Sequence, residues 1–361
     1  MNTVTVVGAG VFGASTAREL ALRGWDVTLV EQYAPGTVRS GSGGDTRLLR
    51  AAHGAIGWYT DLVWRARSLW LELQEQTGQR IWEPVGVAWF AYREDGFEAQ
   101  SRETLEAAGI PCEWLSPDAA RRLYPSLGVD DLHAVLFEPE SGVLHARRAN
   151  QLLVEDGSRH GVRLEAGRAT TADAPRSDVV VWACGAWLPQ LFGELVGLRI
   201  VRREVFFFGG GGDWKDTPGF CDYDNPFYGH GDVAGLGTKI APDVYAGEID
   251  PDALERLPTP ELVRAARDYA ALRFPALAAA PIIGSRVCQY ELTNDTHFLF
   301  ARHPEQASWW LLGGGSGHGF KHGPALAEYV ADCIEGRREP EPFHALGERT
   351  GHAGLRTAAA Y

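Results

Sequence analysis

The stretch TVTVVGAGVFGASTARELALRGWDVTLVEQ, residues 3–32, carries the strongest structural signal in this chain. An apolar, β-branched run leads through a glycine-rich turn into a helical pattern, and a second apolar run follows. Gly8, Gly10 and Gly13 match the pattern G-x-G-x-x-G, whose glycines permit a tight turn, the approach of a pyrophosphate, and close packing of the helix on the strand. The stretch therefore predicts a βαβ unit that binds a dinucleotide.

An acidic residue ends the second apolar run. Glu31 lies 23 residues after Gly8, close to the spacing of about 20 at which a carboxylate accepts hydrogen bonds from a ribose diol. A glycine-rich turn without a ligand is the alternative, but here the motif lies between a strand and a helix with the acid in place. The loop that follows, residues 32–54, is rich in glycine and serine and carries Arg47 and Arg50. It has no counterpart in a simple nicotinamide-binding fold, which continues directly into further βα repeats.

Composition excludes several classes of partner. The formal net charge is −13, and no run rich in lysine or arginine occurs, so nucleic acid and anionic membrane are not expected partners. The five cysteines are scattered and form no C-x-x-C pair, which argues against a disulfide framework or a zinc site and for a reducing compartment. Without a leader pattern or a long apolar run, we predict a cytoplasmic protein with no membrane span and no metal site.

The pattern that opens the chain, a strand followed by a glycine turn and a helix, recurs near residues 185 and 315, with β-rich segments between. This arrangement predicts an α/β fold class, in which a discontinuous Rossmann-like cofactor domain is interleaved with a β-rich α+β substrate domain. The boundaries we predict are residues 1–79, 143–198 and 286–361 for the cofactor domain, and 80–142 and 199–285 for the substrate domain. Helices are predicted at 57–78, 97–108 and 260–273, and from about residue 323.

Four motifs together resemble a known family. They are GAGVFG at 8–13, GDTRLLR at 44–50, VCQY at 287–290 with DTHFLF soon after, and GSGHGFKHG at 315–323. In order and spacing the chain resembles the FAD-dependent amine oxidases of the D-amino-acid oxidase superfamily, and within it most closely monomeric sarcosine oxidase and N-methyltryptophan oxidase. The resemblance covers nearly the whole chain and implies that the cofactor domain binds FAD.

The resemblance also implies a cofactor site. Cys288 matches the family cysteine that forms a thioether to the flavin, and its alternative role is that of a small buried apolar residue. Arg47 would assist the attachment by favouring the thiolate. The predicted cofactor-binding residues are Gly8, Gly10, Gly13, Glu31, Gly44, Asp45, Thr46, Gly185, Cys288, Gly315, Gly317, Gly319 and Phe320.

By the same resemblance, Arg50 and Lys321 would hold the substrate carboxylate, and Tyr290 would line the substrate pocket. Lys239 matches the family lysine that promotes the reaction with oxygen. The predicted catalytic residues are Lys239, Arg47 and His318, and the predicted substrate-binding residues are Arg50, Lys321, Tyr290 and Asp243. His318 and Asp243 are candidates for proton transfer, with a purely structural role as the alternative.

Several positions depart from the sarcosine oxidase pattern. Ser42 and Gly43 stand where relatives carry histidines, and Asp243 stands where they carry a histidine after the oxygen-activating lysine. These differences argue against sarcosine itself as the substrate. Aromatic residues at 206–208 and 227–228 hint at a bulkier or cyclic amine, although aromatic strands more often belong to a core.

The predicted function is oxidation of the C–N bond of a secondary or cyclic amino acid to an imine, with O2 reduced to H2O2. Two alternatives stay open: an FAD-dependent dehydrogenase that passes electrons to another acceptor, and a flavin-binding protein without catalysis. The expected partners are a small-molecule amine and O2, and the expected assembly is a monomer or a small homo-oligomer.

Overall fold

Three β-sheets organise the part of the chain that the structure describes. The computed structural model describes residues 2–233 and 235–351. The strands of this part, in chain order, are β1 Thr3–Val7, β2 Asp26–Glu31, β3 Arg47–Leu49, β4 Trp82–Glu83, β5 Val87–Ala91, β6 Glu113–Leu115, β7 Ala134–Glu138, β8 Gly142–Leu144, β9 Arg163–Ala166, β10 Val179–Trp182, β11 Arg199–Phe208, β12 Gly219–Asp222, β13 Phe227–His230, β14 Thr238–Pro242, β15 Ile282–Leu292, β16 Leu299–Arg302 and β17 Trp309–Gly313.

Eight α-helices connect these strands in the described residues. They are α1 Val11–Leu22, α2 Gly57–Thr77, α3 Phe97–Ala107, α4 Pro117–Ala120, α5 Ala146–Arg159, α6 Leu188–Phe192, α7 Pro260–Arg273 and α8 Gly323–Ile334. The helices predicted at 57–78, 97–108, 260–273 and from 323 are confirmed. No helix of this part of the chain combines the length and the apolar character needed to cross a membrane.

The first sheet has six strands in the order β16-β17-β10-β1-β2-β9. All neighbours are parallel except β16, which runs antiparallel to β17. The predicted βαβ unit is confirmed as β1, α1 and β2, and α1 packs against α5 and α8. Val4, Val6 and Leu29 are buried in the core between this sheet and the helices. The carboxyl ends of the parallel strands therefore open together along one edge, where α/β sheets bind their ligands.

The second sheet has eight strands in the order β15-β11-β14-β13-β12-β5-β7-β6, and it is antiparallel except between β5 and β12. Helix α7 packs on it over a core rich in aromatic rings. Phe206 and Phe208 are fully buried in this core, so two of the aromatic residues considered for substrate binding are packing residues. This sheet is the β-rich unit expected between the segments of the cofactor domain.

One strand crosses a predicted domain boundary. Strand β15 pairs with β11 from residue 282 to residue 292, so the predicted border between residues 285 and 286 lies inside a continuous strand of the second sheet. The third sheet, β3-β8-β4, likewise joins strands from both predicted domains. The last ten residues of the predicted cofactor domain, 352–361, lie outside the described residues. The division into two domains stays a prediction, and β15 belongs to the second sheet over its whole length.

Candidate active site

A long cavity, partly open to solvent, lies at the carboxyl edge of the six-stranded sheet. We call it the cofactor cavity. The predicted cofactor-binding residues that line it are Gly8, Gly10, Glu31, Gly185, Gly315, Gly317, Gly319 and Phe320. The three glycine turns predicted near residues 8, 185 and 315 thus meet around one space.

Two glycines of the first turn are required by close backbone contacts. Gly8 has a φ of +104°, and a Cβ atom on it would lie 2.5 Å from the carbonyl oxygen of Ala183. A Cβ atom on Gly13 would lie 1.9 Å from the carbonyl oxygen of Gly8. Gly13 therefore lets α1 pack against the turn and does not itself line the cavity, as the third glycine of the motif does in dinucleotide-binding folds.

The acidic residue at the end of β2 is tied to the same turn. The Glu31 carboxylate accepts hydrogen bonds from the backbone N–H groups of Ala9, at 2.8 Å, and Tyr33, at 2.9 Å. Ser42 accepts a hydrogen bond at 2.9 Å from the N–H of Val11, the first residue of α1. The N-terminal end of α1 and the Glu31 carboxylate both border the cavity, so the residues fit the pyrophosphate and the ribose of a dinucleotide such as FAD.

Gly44, Asp45 and Thr46 do not line the cofactor cavity. Asp45 forms ion pairs with Arg147, at 3.2 Å, and Arg286, at 3.0 Å. The Thr46 hydroxyl lies 2.7 Å from Nε2 of a buried histidine, His230. The structure therefore places these residues behind the cavity wall, where they hold the segment that carries Arg47.

Arg47 lies where two cavities meet. Its guanidinium donates hydrogen bonds to the carbonyl oxygens of Thr46, at 2.8 Å, and Gly41, at 2.6 Å. Arg47 lines the cofactor cavity together with Tyr290, Gly317 and Phe320, and the same four residues also line a second cavity. The two cavities are therefore neighbours that share a wall.

The second cavity lies between the shared wall and the eight-stranded sheet. We call it the substrate cavity. Its walls are formed by Arg47, Leu48, Arg50, Cys221, Asp222, Tyr223, Phe227, Tyr228, Asp243, Tyr290, Gly317, His318, Phe320 and Lys321. All four predicted substrate-binding residues, and His318, are among them.

Two cations border the substrate cavity from inside the protein. Arg50 is 5% exposed and donates a hydrogen bond at 2.6 Å to the carbonyl oxygen of Ala52, and its guanidinium lies over the ring of Trp89 at 4.6 Å. Lys321 is 2% exposed and donates at 2.9 Å to the carbonyl oxygen of His318. A buried cation attracts an anion more strongly than one in water, and its burial carries a desolvation cost. An anionic ligand between Arg50 and Lys321 would lower that cost.

The opposite wall carries acidic and phenolic groups. Asp243 lies 3.5 Å from Nε of Arg203, and the Arg203 guanidinium lies over the ring of Tyr290 at 5.2 Å. The hydroxyl groups of Tyr228 and Tyr290 are 2.9 Å apart. Burial raises the pKa of Tyr228 well above its ordinary value, so this phenol stays protonated and can donate a hydrogen bond.

Lys239 and Cys288 lie near the shared wall without lining either cavity. Lys239 is 3% exposed, and its ammonium lies over the ring of Tyr228 at 5.2 Å. Burial, together with the nearby charge of Arg47, lowers the pKa of Lys239 to about 7. Cys288, on β15, is half-buried and packs against the cluster that contains Tyr290.

The sequence reasoning missed a buried carboxyl in the substrate cavity. Asp222 accepts hydrogen bonds from the hydroxyl groups of Tyr92, at 3.0 Å, and Tyr269, at 2.9 Å, and from the N–H of Asn225. Burial raises the pKa of Asp222 to about 6. The partners come from distant segments, so no local pattern indicates this network.

A second carboxyl that was missed faces the cofactor cavity. The Glu291 side chain lies beside Gly185 and Gly315, since a Cβ atom on either would be 3.2 or 3.5 Å from a Glu291 oxygen. Burial raises the pKa of Glu291 to about 7. The motif VCQY ends one residue earlier, so the sequence pattern did not predict a role for Glu291.

Three histidines converge behind the substrate cavity. A ring nitrogen of each of His53, His318 and His322 lies within 4.8 Å of the others. Only His318 was predicted as a site residue. His53 follows the motif that ends at Arg50, and His322 lies next to Lys321 within its motif, which is the signal that could have found them.

Comparisons with known proteins agree with this architecture. The model of the FAD-dependent oxidoreductase family matches residues 3–333. Monomeric sarcosine oxidase of Bacillus sp. (strain NS-129) is 30% identical over 91% of this chain and 91% of its own length. N-methyl-L-tryptophan oxidase of Yersinia pestis (strain Pestoides F) is 24% identical over 93% of this chain and 95% of its own length.

The fold has counterparts among solved structures. L-proline dehydrogenase from P. horikoshii superimposes with a TM-score of 0.81 at 20% identity, over 95% of this chain and 96% of its own. At that identity the likeness concerns the fold alone. The family match spans both sheets and the motifs that line the two cavities, which confirms the resemblance inferred from the sequence. The chain belongs to the family of FAD-dependent oxidoreductases that includes monomeric sarcosine oxidase.

Proposed function

We propose that the protein oxidises the C–N bond of a secondary or cyclic amino acid to an imine and uses O2 as the electron acceptor, with H2O2 as the second product. The observation that carries the proposal is the pair of buried cations, Arg50 and Lys321, in a cavity that shares a wall with the cofactor cavity. When bound, FAD supplies the two-electron acceptor that such an oxidation needs.

Arg50 and Lys321 would bind the substrate carboxylate. Arg50 offers a planar set of donors, and its remaining N–H groups can form a bidentate pair with a carboxylate. Lys321 adds a point charge, and its hydrogen bond to the His318 carbonyl oxygen fixes its position. The binding energy would hold the carbon next to nitrogen against the shared wall, so that orientation contributes to the rate.

The names of the relatives support an amine of this class. Sarcosine is N-methylglycine, so sarcosine oxidase and N-methyl-L-tryptophan oxidase are both named for N-methylated amino acids. Here Phe227, Tyr228 and Tyr223 line the substrate cavity, and Asp243 takes the place of a family histidine. These residues favour an amino acid larger than sarcosine.

Lys239 would provide the positive charge for the reaction with O2. The chain has three lysines, Lys215, Lys239 and Lys321, and two of them are buried beside the cavities. An ammonium held in a low-dielectric site stabilises a developing negative charge more strongly than one in water. With a pKa of about 7, Lys239 is partly charged at neutral pH.

Cys288 would tether the cofactor through a thioether. Its place on β15 supports this, because Tyr290, two residues further along the same face of the strand, lines both cavities. The test is acid precipitation of the purified protein. Yellow colour should remain in the washed pellet, and it should move to the supernatant in Cys288→Ala. Colour released from the wild-type protein would contradict the tether and leave FAD binding intact.

A substrate screen tests the reaction itself. N-methylated amino acids, cyclic imino acids and glycated amino acids would be added without oxygen, and loss of the flavin absorbance near 450 nm would be followed. Admission of O2 should restore the absorbance and give about one H2O2 per substrate oxidised. Bleaching that only an artificial acceptor reverses would favour a dehydrogenase, and failure of every amine to bleach the flavin would favour a protein without catalysis.

A cytoplasmic location and a monomeric or small oligomeric assembly belong to the same proposal. The cysteines of the described residues are free thiols, as expected in a reducing compartment. Size-exclusion chromatography with light scattering would measure the assembly.

A further inference from the structure

The three histidines behind the substrate cavity, which we call the histidine cluster, are His53, His318 and His322. They are 1%, 4% and 0% exposed, respectively. Their ring centroids are 5.2 to 6.0 Å apart. Only His318 borders the substrate cavity, so the other two lie one layer deeper. His318 therefore connects the substrate cavity to the two buried imidazoles of His53 and His322.

Hydrogen bonds fix the basic nitrogens of two rings. His53 Nδ1 lies 2.9 Å from the carbonyl oxygen of Ala51, and His318 Nε2 lies 2.9 Å from that of Thr296. A carbonyl oxygen only accepts, so each of these nitrogens carries its hydrogen. The lone pair is then on Nε2 of His53 and on Nδ1 of His318. Among the described residues neither nitrogen of His322 has a hydrogen-bond partner, so the cluster has room for an added proton.

The cations of the carboxylate site control the charge of this cluster. Burial lowers the pKa of both His53 and His322 well below the ordinary value, and the neighbouring charges of Lys321 and Arg50 lower it further. The phenol of Tyr59, on α2, packs against all three rings and bonds to His297 on its far side. Without a ligand His53 and His322 are therefore neutral. A carboxylate bound between Arg50 and Lys321 would cancel part of the positive charge that keeps them so.

We propose that the histidine cluster accepts the proton that the substrate ammonium must lose before oxidation, and that binding of the substrate carboxylate enables this transfer. The inference rests on the proposed function through the carboxylate site. The N–H bond of the ammonium breaks and its electron pair stays on the amine nitrogen, while an N–H bond forms at Nδ1 of His318. His53 and His322 share the proton, so they act as positioning residues behind His318.

A metal ion is a poorer occupant of the same three rings. A divalent cation among them would lie next to the fixed charges of Arg50 and Lys321, and no carboxylate belongs to the group of ligands. A proton adds one positive charge instead of two, and it can bind to a ring nitrogen without moving the three rings apart. The geometry therefore favours proton uptake.

Acetate provides a test that does not depend on turnover, because it carries the carboxylate but no proton to donate. Its heat of binding to the FAD-loaded protein would be measured near pH 6.5 in two buffers with different ionisation enthalpies, and the difference gives the protons taken up. We expect net uptake by the wild-type protein and none by the double variant His53→Gln/His322→Gln. His344→Gln, which replaces a buried histidine outside the cluster, is the control and should take up protons like the wild type.

A second measurement needs no variant of the cluster. If binding takes up protons, acetate affinity must fall as pH rises, by up to about tenfold per pH unit, above the range where acetate itself titrates. Acetate binding with neither proton uptake nor this pH dependence would overturn the proposal while leaving the carboxylate site intact. Uptake that persists in the double variant would show that His53 and His322 do not share the proton, and would overturn the role of the cluster. Failure of acetate to bind, or equal binding by Arg50→Gln, would overturn the carboxylate site and with it this inference.

Discussion

The two neighbouring cavities are built by different means. The cofactor cavity is bordered by glycine turns at the ends of parallel strands, where backbone segments approach one another. The substrate cavity is enclosed mainly by side chains, and it gathers buried cations, carboxyls and phenols from both large sheets. At the glycine turns an added Cβ atom would clash with backbone atoms. In the substrate cavity a change of charge would disturb the interactions of buried charged residues. The two should therefore fail in different ways when altered.

The largest effect is expected from Gly13→Ala. Its Cβ atom would lie 1.9 Å from the Gly8 carbonyl oxygen, so α1 must move away from the turn, at a cost of about 3 kcal/mol or more. Thermal unfolding and the flavin content of the purified protein would measure this. Gly57→Ala, also in a helix, meets nothing closer than 3.9 Å and should retain flavin. A stable, flavin-loaded Gly13→Ala protein would contradict the view that backbone contacts define this cavity.

Arg50→Gln should leave the cofactor cavity intact and disable the substrate cavity. Loss of one partner of a buried charge pair should lower kcat/KM about 10²- to 10³-fold. Flavin content and melting temperature should change little by comparison. Arg122→Gln makes the same change of charge on the surface, where the side chain is 55% exposed, and should have no effect. If Arg50→Gln lost as much flavin as Gly13→Ala, a change in the substrate cavity would also disturb the cofactor cavity, and the contrast between them would be wrong.

Lys239→Met tests the charge near the shared wall. We expect the reaction with O2 to slow about 10²-fold, while anaerobic bleaching by substrate keeps its rate. Because burial lowers the pKa of Lys239 to about 7, the charged form predominates below that pH, and the wild-type reaction with O2 should slow as pH rises through 7. Stopped-flow absorbance separates the two half-reactions, and Lys215→Met on the surface is the control. A slower bleaching step would assign Lys239 to the substrate instead.

Glu291→Gln should have the smallest effect, because it removes the charge of a single carboxyl beside the glycine turns and keeps its size. The pKa of Glu291 is raised from 4.5 to about 7 in the folded protein, so the folded state favours the protonated form and loses stability as pH rises through this window. Glutamine removes the titration. The variant should melt a few °C higher than the wild type at about pH 8 and match it at about pH 5. A gain that is equal at both values would point to packing.

The contrast between the cavities also explains what the sequence predicted. Gly8, Gly13 and Glu31 lie within one βαβ unit, so local spacing was enough to predict their arrangement. Arg50, Lys321 and Tyr290 were placed through a family resemblance, and the structure brings them to one cavity, while their roles stay predictions.

Residues whose surroundings come from distant segments were missed. Asp222 depends on Tyr92 and Tyr269, and His53 depends on the turn at residues 318–322. No periodic or local pattern indicates the Asp222 network, and the one signal for His53 and His322 is their closeness in sequence to Arg50 and Lys321. The border predicted at residue 286 falls inside a strand for the same reason, since the pairing of β15 with β11 is a long-range property.

Strand β15 has a consequence for changing the substrate range by mutation. Gln289 and Glu291 line the cofactor cavity, and Tyr290 between them lines both cavities. Mutations on this strand that change the preferred amine therefore also affect cofactor binding. Residues 221–228, at the ends of β12 and β13, contribute to the substrate cavity alone. Mutations confined to this segment can therefore change which amines the enzyme accepts, with little effect on cofactor binding.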